Sequence, residues 1–140
     1  MKTAIDTNVL SALWSGEPIA SSVSESLNQA ADAGALVICA VVYVELLAFP
    51  KAKLDFVDDF LTTTRISVDF DLGTAVWREA AVRFAKYASR RRASRGGNAK
   101  RLPADFIVGA HAQIRCDRLL TLDRSRYSRD FPELEQVACG

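Results

Sequence analysis

A single histidine, His111, and three scattered cysteines, Cys39, Cys116 and Cys139, are all that this 140-residue chain offers as soft metal ligands. They form no CxxC pair and no zinc-ligand spacing, and three thiols this far apart fit free cysteines better than a disulfide framework. With one histidine there is also no Ser–His or Cys–His pairing to propose as a nucleophile and its base. No apolar run approaches the ~20 residues needed to span a membrane. Lys2 is followed so soon by Asp6 that no secretory pattern forms. The expectation is a cytoplasmic protein with no membrane association. Repeats, low-complexity tracts and linkers are missing too, so the chain is expected to be one domain over residues 1–140.

Acids are missing from one long stretch. Between Arg83 and Arg101 stand eight basic residues (Arg83, Lys86, Arg90, Arg91, Arg92, Arg95, Lys100 and Arg101) and no Asp or Glu. The net charge is only +1, so the rest of the chain carries −7. A basic block beside an acidic remainder is either a phosphate-backbone footprint or a solvated helix end, where positive charge is favoured at the C-terminus. Elsewhere the composition is that of an ordinary globule, with 49% hydrophobic and 25% charged residues, able to bury roughly two thirds of its unfolded surface.

Strands and helices alternate along the chain. Thr3 to Ile5 is a short β-type run that ends at Asp6, and Val9, Leu10 and Leu13 then recur at helical spacing. Ser15-Gly16-Glu17-Pro18 breaks this helix, and a second runs from Ile19 to Ala33, closed by Gly34. Ala35 to Cys39 is a continuous apolar run of the kind found in buried parallel strands. Val41 to Phe49 reads as a largely buried helix stopped by Pro50, and Lys51 to Thr64 as an amphipathic one. Arg65 to Val68 is a third strand. Asp71 is the expected N-cap of a long helix from Leu72 to about Arg92. Ala93 to Asn98 is expected to be a mobile loop. Pro103 opens another helix at its first position, with Asp105 in the first turn and Gly109 leaving room for another backbone. Arg118 to Asp123 is a fourth strand, and Glu135 to Cys139 a short edge strand. This order implies an α/β fold with a central parallel sheet of about four to five strands.

Four acids share a location in such a fold. Asp6 and Asp123 end strands, Asp105 starts a helix, and strand C-termini and helix N-termini meet at one edge of a doubly wound sheet. Glu45, the one charge between Asp32 and Lys51, joins from the apolar helix after the second strand. Buried there, it must be paired with an arginine, protonated or bound to a metal. Alone, Asp6 reads more readily as a helix N-cap than as a site acid. Together, four carboxylates cannot all stay ionised uncompensated, because each like-charge pair at ~4 Å costs about 4 kcal/mol at an effective dielectric near 20. A divalent cation removes the conflict, and an all-oxygen donor set suits Mg²⁺ or Mn²⁺. Such a site performs metal-assisted phosphoryl chemistry. Asp6 and Asp105 are the expected direct ligands, Asp123 a ligand directly or through water, and Glu45 a ligand or the residue that positions the attacking water. His111, six residues from Asp105, points elsewhere and is expected to be packed or hydrogen-bonded.

The segments Ile5-Asp6-Thr7-Asn8-Val9-Leu10, Val44-Glu45-Leu46, Pro103 to Ala112 and Leu120-Thr121-Leu122-Asp123 resemble the four motifs of PIN-domain proteins, and most of all the VapC-type toxins of bacterial toxin–antitoxin pairs. The likeness extends over essentially the whole chain. It implies a three-layer α/β/α sandwich, an Mg²⁺- or Mn²⁺-dependent endoribonuclease, a cognate antitoxin that inhibits the site, and a homodimer. It assigns Asp6, Glu45, Asp105 and Asp123 to the acidic quartet, and Thr7, Asn8 and Thr121 to supporting polar positions that orient the carboxylates. The residues before Glu45 are valines and a tyrosine where many relatives carry Ser or Thr. With RNA as substrate, Arg124 and Arg126 on one side, and Arg95, Lys100 and Arg101 on the other, would hold flanking phosphates.

Two other readings compete. The run Val68-Asp69-Phe70-Asp71-Leu72-Gly73-Thr74 resembles the nucleophile loop of HAD-like phosphatases, with Asp69 as nucleophile, although Leu72 interrupts it. A non-catalytic PIN-fold module that binds RNA or protein is the second alternative.

Overall fold

The computed structural model describes residues 1–94 and 101–139. Twelve elements follow in order: β1 (Thr3–Ile5), α1 (Thr7–Ser15), α2 (Ala20–Ala33), β2 (Leu36–Cys39), α3 (Ala40–Leu46), α4 (Leu54–Thr64), β3 (Ile66–Asp69), α5 (Thr74–Ala93), α6 (Pro103–Arg115), β4 (Arg118–Thr121), α7 (Ser125–Ser128) and β5 (Gln136–Ala138). The strands form one parallel sheet in the order β3-β2-β1-β4-β5. Helices flank the sheet, completing the expected α/β/α sandwich.

The innermost strands are the most apolar. Every residue of β1 and β2 is buried, which explains the unbroken hydrophobic run of β2. Burying each large aliphatic side chain contributes about 1.5–3 kcal/mol, so this short core outweighs any local strand preference. The chain leaves β1 for β2 on one side and, after β4, reaches β5 on the other. This reversal between β1 and β4 opens a crevice beyond their carboxyl ends, the ordinary ligand position in open α/β sheets.

Helix α6 packs on α5 and against β1 and β4. On α6, a Cβ added at Gly109 would lie 2.4 Å from the Phe131 ring. The room expected for another backbone is filled by an aromatic side chain. At Gly34 (φ 154°) the backbone of Met1 occupies the Cβ position, so the N-terminus is pinned against the end of α2, where its amino group donates to Ala33 O at 3.1 Å.

Several boundaries differ from the sequence reading. Regular helix ends at Leu46, and the chain continues through short turns to Phe49. Helix α4 starts at Leu54, and β4 ends at Thr121, so Asp123 lies in the turn beyond it. Asp71 is not the N-cap of α5: the helix begins at Thr74 after Gly73, and Asp71 accepts from the Gly73 amide at 3.2 Å in a local turn. The side-chain turn competes with helix at that position. Cys39, Cys116 and Cys139 are free. No helix among the described residues is long and apolar enough to cross a membrane. The expected loop at 93–98 lies largely outside the described residues.

Candidate active site

Asp6 is the first residue beyond β1 and sits at the crevice. It is 3% exposed. Its extended backbone (φ −76°, ψ 151°) makes it the N-cap of α1, with Oδ1 accepting from the Thr7 amide at 2.8 Å. Its other oxygen faces the sheet, where Oδ2 accepts from the Thr121 and Tyr127 hydroxyls, both at 2.9 Å. The cap and the site acid are thus one residue. Hydrogen bonds to a charged acceptor contribute about 1.5–3 kcal/mol each, so three donors hold this carboxylate in one orientation.

Tyr127 is the residue that sequence reasoning missed. It comes from the four-residue helix α7 and is buried. Burial and then the Asp6 charge push its phenol well above its ordinary value, so it remains a donor. Its position one turn after Asp123 was the available signal. Nothing local in the sequence shows that this turn folds back onto β1.

The supporting polar residues connect the strand ends. Thr121 Oγ1, besides donating to Asp6, accepts from the Asp123 amide at 3.0 Å. Asn8 Oδ1 accepts from the Leu122 amide at 3.2 Å, tying the start of α1 to the turn after β4. Thr7 donates its hydroxyl to Glu45 Oε1 at 2.7 Å.

Glu45 requires a correction. It is exposed, not buried, as is its neighbour Val44 at 69%. Helix α3 is apolar almost all round, yet only one side, including Val42 and Leu46, enters the core. The solvent-facing valine made the helix look enclosed. Glu45 therefore needs no burial argument, and the Thr7 hydroxyl holds it at the rim.

Asp105, in the first turn of α6, has a side chain 24% exposed. Burial holds its carboxyl above the ordinary range, opposed by Arg126 and reinforced by the Asp6 charge. Asp123 is shifted the other way, chiefly by the Ser125 hydroxyl at 2.7 Å and then by Arg126, so it stays ionised. Arg126 stands between the two, 3.7 Å from Asp105 Oδ1 and 3.5 Å from Asp123 Oδ2. The guanidinium supplies one compensating charge, shared between Asp105 and Asp123.

Among the described residues no three Asp, Glu, His or Cys side chains converge closely enough to enclose a metal ion. The donor chemistry nevertheless fits one class. The Asp6 charge is close enough to perturb Asp105, Asp123 lies beyond Arg126, and all are oxygen donors. Mg²⁺ binds through one or two carboxylates, keeping several waters and taking substrate phosphates. An open two-acid floor meets that requirement and would not satisfy zinc.

Beside the acids opens a cavity of about 490 Å³ whose lining includes Thr7, Asn8, Ser11, Glu45, Phe49 and Arg126. Of the arginines expected to hold phosphates, Arg124 is exposed and Arg126 lies among the acids. Arg101 points inward, donating to the carbonyls of Arg126 and Ser125 and to Asp130, so it braces α7. Arg95 and Lys100 lie outside the described residues. His111 is buried on the far side of α6, its Nε2 2.8 Å from Asp69 Oδ2, as a packed and hydrogen-bonded histidine should be.

Comparison with known proteins places this geometry in context. The family model for the PIN domain matches residues 3–132. Among solved structures, the chain is similar to VapBC2 from Rickettsia felis bound to a DNA fragment from its promoter, with 18% identity, TM-score 0.67 and all of both chains covered. It is similar to VapBC-1 from nontypeable Haemophilus influenzae, with 20% identity, TM-score 0.68, and 99% of this chain and 98% of that one covered. A toxin–antitoxin complex from Klebsiella pneumoniae aligns with 20% identity and TM-score 0.59, over 97% and 96% of the two chains. No curated protein sequence matches. At these identities the structural likeness speaks for the fold.

Proposed function

The chain belongs to the PIN domain family, and from that premise we propose that it is a divalent-metal-dependent endoribonuclease, the toxin of a toxin–antitoxin pair. One observation carries the reading: Asp6 sits at the crevice with both carboxylate oxygens fixed by three donors, facing Asp105, with Asp123 and Glu45 at the rim. A structural N-cap needs one of those bonds. The two additional donors, from β4 and α7, orient the carboxylate for a ligand.

Asp6 and Asp105 would hold Mg²⁺ or Mn²⁺, with Asp123 reaching it directly or through water. The bound cation supplies charge neutralisation at the scissile phosphate and a more acidic water. Glu45, steadied by Thr7, positions the water whose oxygen attacks phosphorus as the bond to the leaving oxygen breaks. Arg126, within 3.7 Å of Asp105 and 3.5 Å of Asp123, would be placed to hold a phosphate bound at those carboxylates. Thr121, Tyr127 and Asn8 keep the frame fixed. The similar structures are toxin–antitoxin complexes, which supports a cognate antitoxin; a homodimeric state and a cytoplasmic location are part of the same proposal. The phosphatase alternative gains no support, because Asp69 Oδ2 lies 2.8 Å from the buried His111 in a packed pairing.

The test compares cleavage of total bacterial RNA by wild type and Asp6→Asn with Mg²⁺, with Mn²⁺ and with EDTA. Discrete fragments from wild type in metal alone support the nuclease. Intact RNA from a folded wild type that still binds RNA favours a non-catalytic module.

A further inference from the structure

We propose a second anion site, across α7 from the acids: the groove between the C-terminal half of α5 and the end of α7 seats the phosphodiester backbone of an RNA strand. The inference rests on the ribonuclease reading for its choice of ligand. The groove, a cavity of about 340 Å³, is lined by Tyr87, Arg90, Arg91, Arg101, Arg129 and Asp130. The guanidinium groups of Arg90, Arg101 and Arg129 meet one carboxylate, that of Asp130, so among these described side chains positive charge prevails.

The arrangement is built and not incidental. The Asp130 side chain is 3% exposed and shared by two arginines, with Arg90 on Oδ1 and Arg101 on Oδ2. A single buried acid thereby fixes two guanidiniums while neutralising only one charge. Tyr87 forms the floor, its ring centroid 5.8 Å from the Arg90 guanidinium carbon and 5.9 Å from that of Arg101. Stacked, carboxylate-anchored guanidiniums are preorganised and lose little entropy on meeting a phosphate. Arg129 is exposed and stands at the edge. The acids paired with neighbouring Arg83, Glu79 and Glu133, line an adjoining cavity that shares Arg90, Arg129 and Asp130 with this groove, and neither of them lines the groove itself.

The groove is coupled to the candidate active site. Arg101 also donates to the carbonyls of Ser125 and Arg126, so the groove and the acids share the two sides of α7. A strand cut at the acids could continue over α7 into the groove. Contacts there would supply affinity and register, with little base preference. The bland reading of the basic block, a solvated helix end, does not explain why its arginines are gathered around a buried acid and an aromatic floor.

The experiment measures binding of a fluorescent twelve-nucleotide oligouridine by anisotropy, in EDTA to prevent cleavage, across a salt series. Wild type is compared with Arg129→Gln, Arg90→Gln and, as a control of equal charge change on exposed Arg78 in α5, Arg78→Gln. Each lost phosphate contact should flatten the log–log salt slope by roughly 0.7, with several-fold weaker binding, while Arg78→Gln stays near wild type. If Arg90→Gln fails to fold once Asp130 loses a partner, Arg129→Gln decides alone. Groove variants indistinguishable from Arg78→Gln overturn the proposal even if wild type cleaves RNA. Loss of oligonucleotide binding in a protein that never cleaves RNA supports the groove and removes the nuclease reading.

Discussion

Tyr127→Phe offers a test of the orientation of Asp6 that leaves every acid in place. The substitution deletes one hydroxyl from a buried ring and so one of two donors on Asp6 Oδ2. A hydrogen bond to a charged acceptor contributes about 1.5–3 kcal/mol. Thr121 and the Thr7 amide remain, so the carboxylate is not orphaned and the low end of that range, about 1.5 kcal/mol, is expected. With a urea dependence of roughly 1–3 kcal/mol per molar, the unfolding midpoint should fall by roughly 1 M. The charge of Asp6 is responsible for much of this. In an Asp6→Asn background the bond is neutral, about 1 kcal/mol or less, and the double-mutant cycle should show coupling of at least several tenths of a kcal/mol. RNA cleavage should fall in Tyr127→Phe through a loosened Asp6, while Phe keeps the ring packed. A midpoint unchanged within error, or an identical loss in both backgrounds, would refute the claim that this hydroxyl holds the carboxylate.

Three further outcomes follow from the packing and titration of the core. Gly109→Ala forces a methyl into the Phe131 ring; overpacking of this kind costs about 1–3 kcal/mol, and Phe131→Leu in the same chain should recover part of it in chemical denaturation. Asp105→Asn should raise the thermal midpoint at neutral pH. Burial holds the Asp105 carboxyl above its ordinary value, so its ionised form opposes folding once pH exceeds that value, and the advantage of the amide should vanish on acidification below it. His111 behaves in the opposite sense. Burial depresses its pKa below the ordinary 6.5, although Asp69 pulls it upward, so the unfolded chain takes up a proton first and stability should decline as pH falls below about 6.5. A proton-linked slope in that window that persists in His111→Gln would contradict this.

Much of the fold was legible because its signals are local. The β-type run at Thr3 to Ile5 and the continuous apolar run at Ala35 to Cys39 are of the kind satisfied by burial on both faces, which points to a parallel sheet. Pro103 and Asp105 mark a helix start by their own conformational and electrostatic preferences. Motif spacing then placed Asp6, Asp105 and Asp123 at one sheet edge, and the fold puts them there. Glu45 was misjudged in burial because composition does not say which side of a helix faces a neighbour. Asp71 was misjudged as a cap because an Asx turn and an N-cap use the same side-chain oxygen.

Residue type and order along the chain determined the alternation of strands and helices, the parallel sheet, and which carboxylates could meet. Tertiary structure alone decided that Tyr127 bonds Asp6 across 121 residues of sequence, that Arg126 lies between two of the acids, and that Asp130 gathers Arg90 and Arg101 around one buried charge. Periodicity and capping act over a few residues, so they can be read in order. These later pairings depend on how separate elements dock, and docking is set by burial of the whole core, which no local stretch of sequence records.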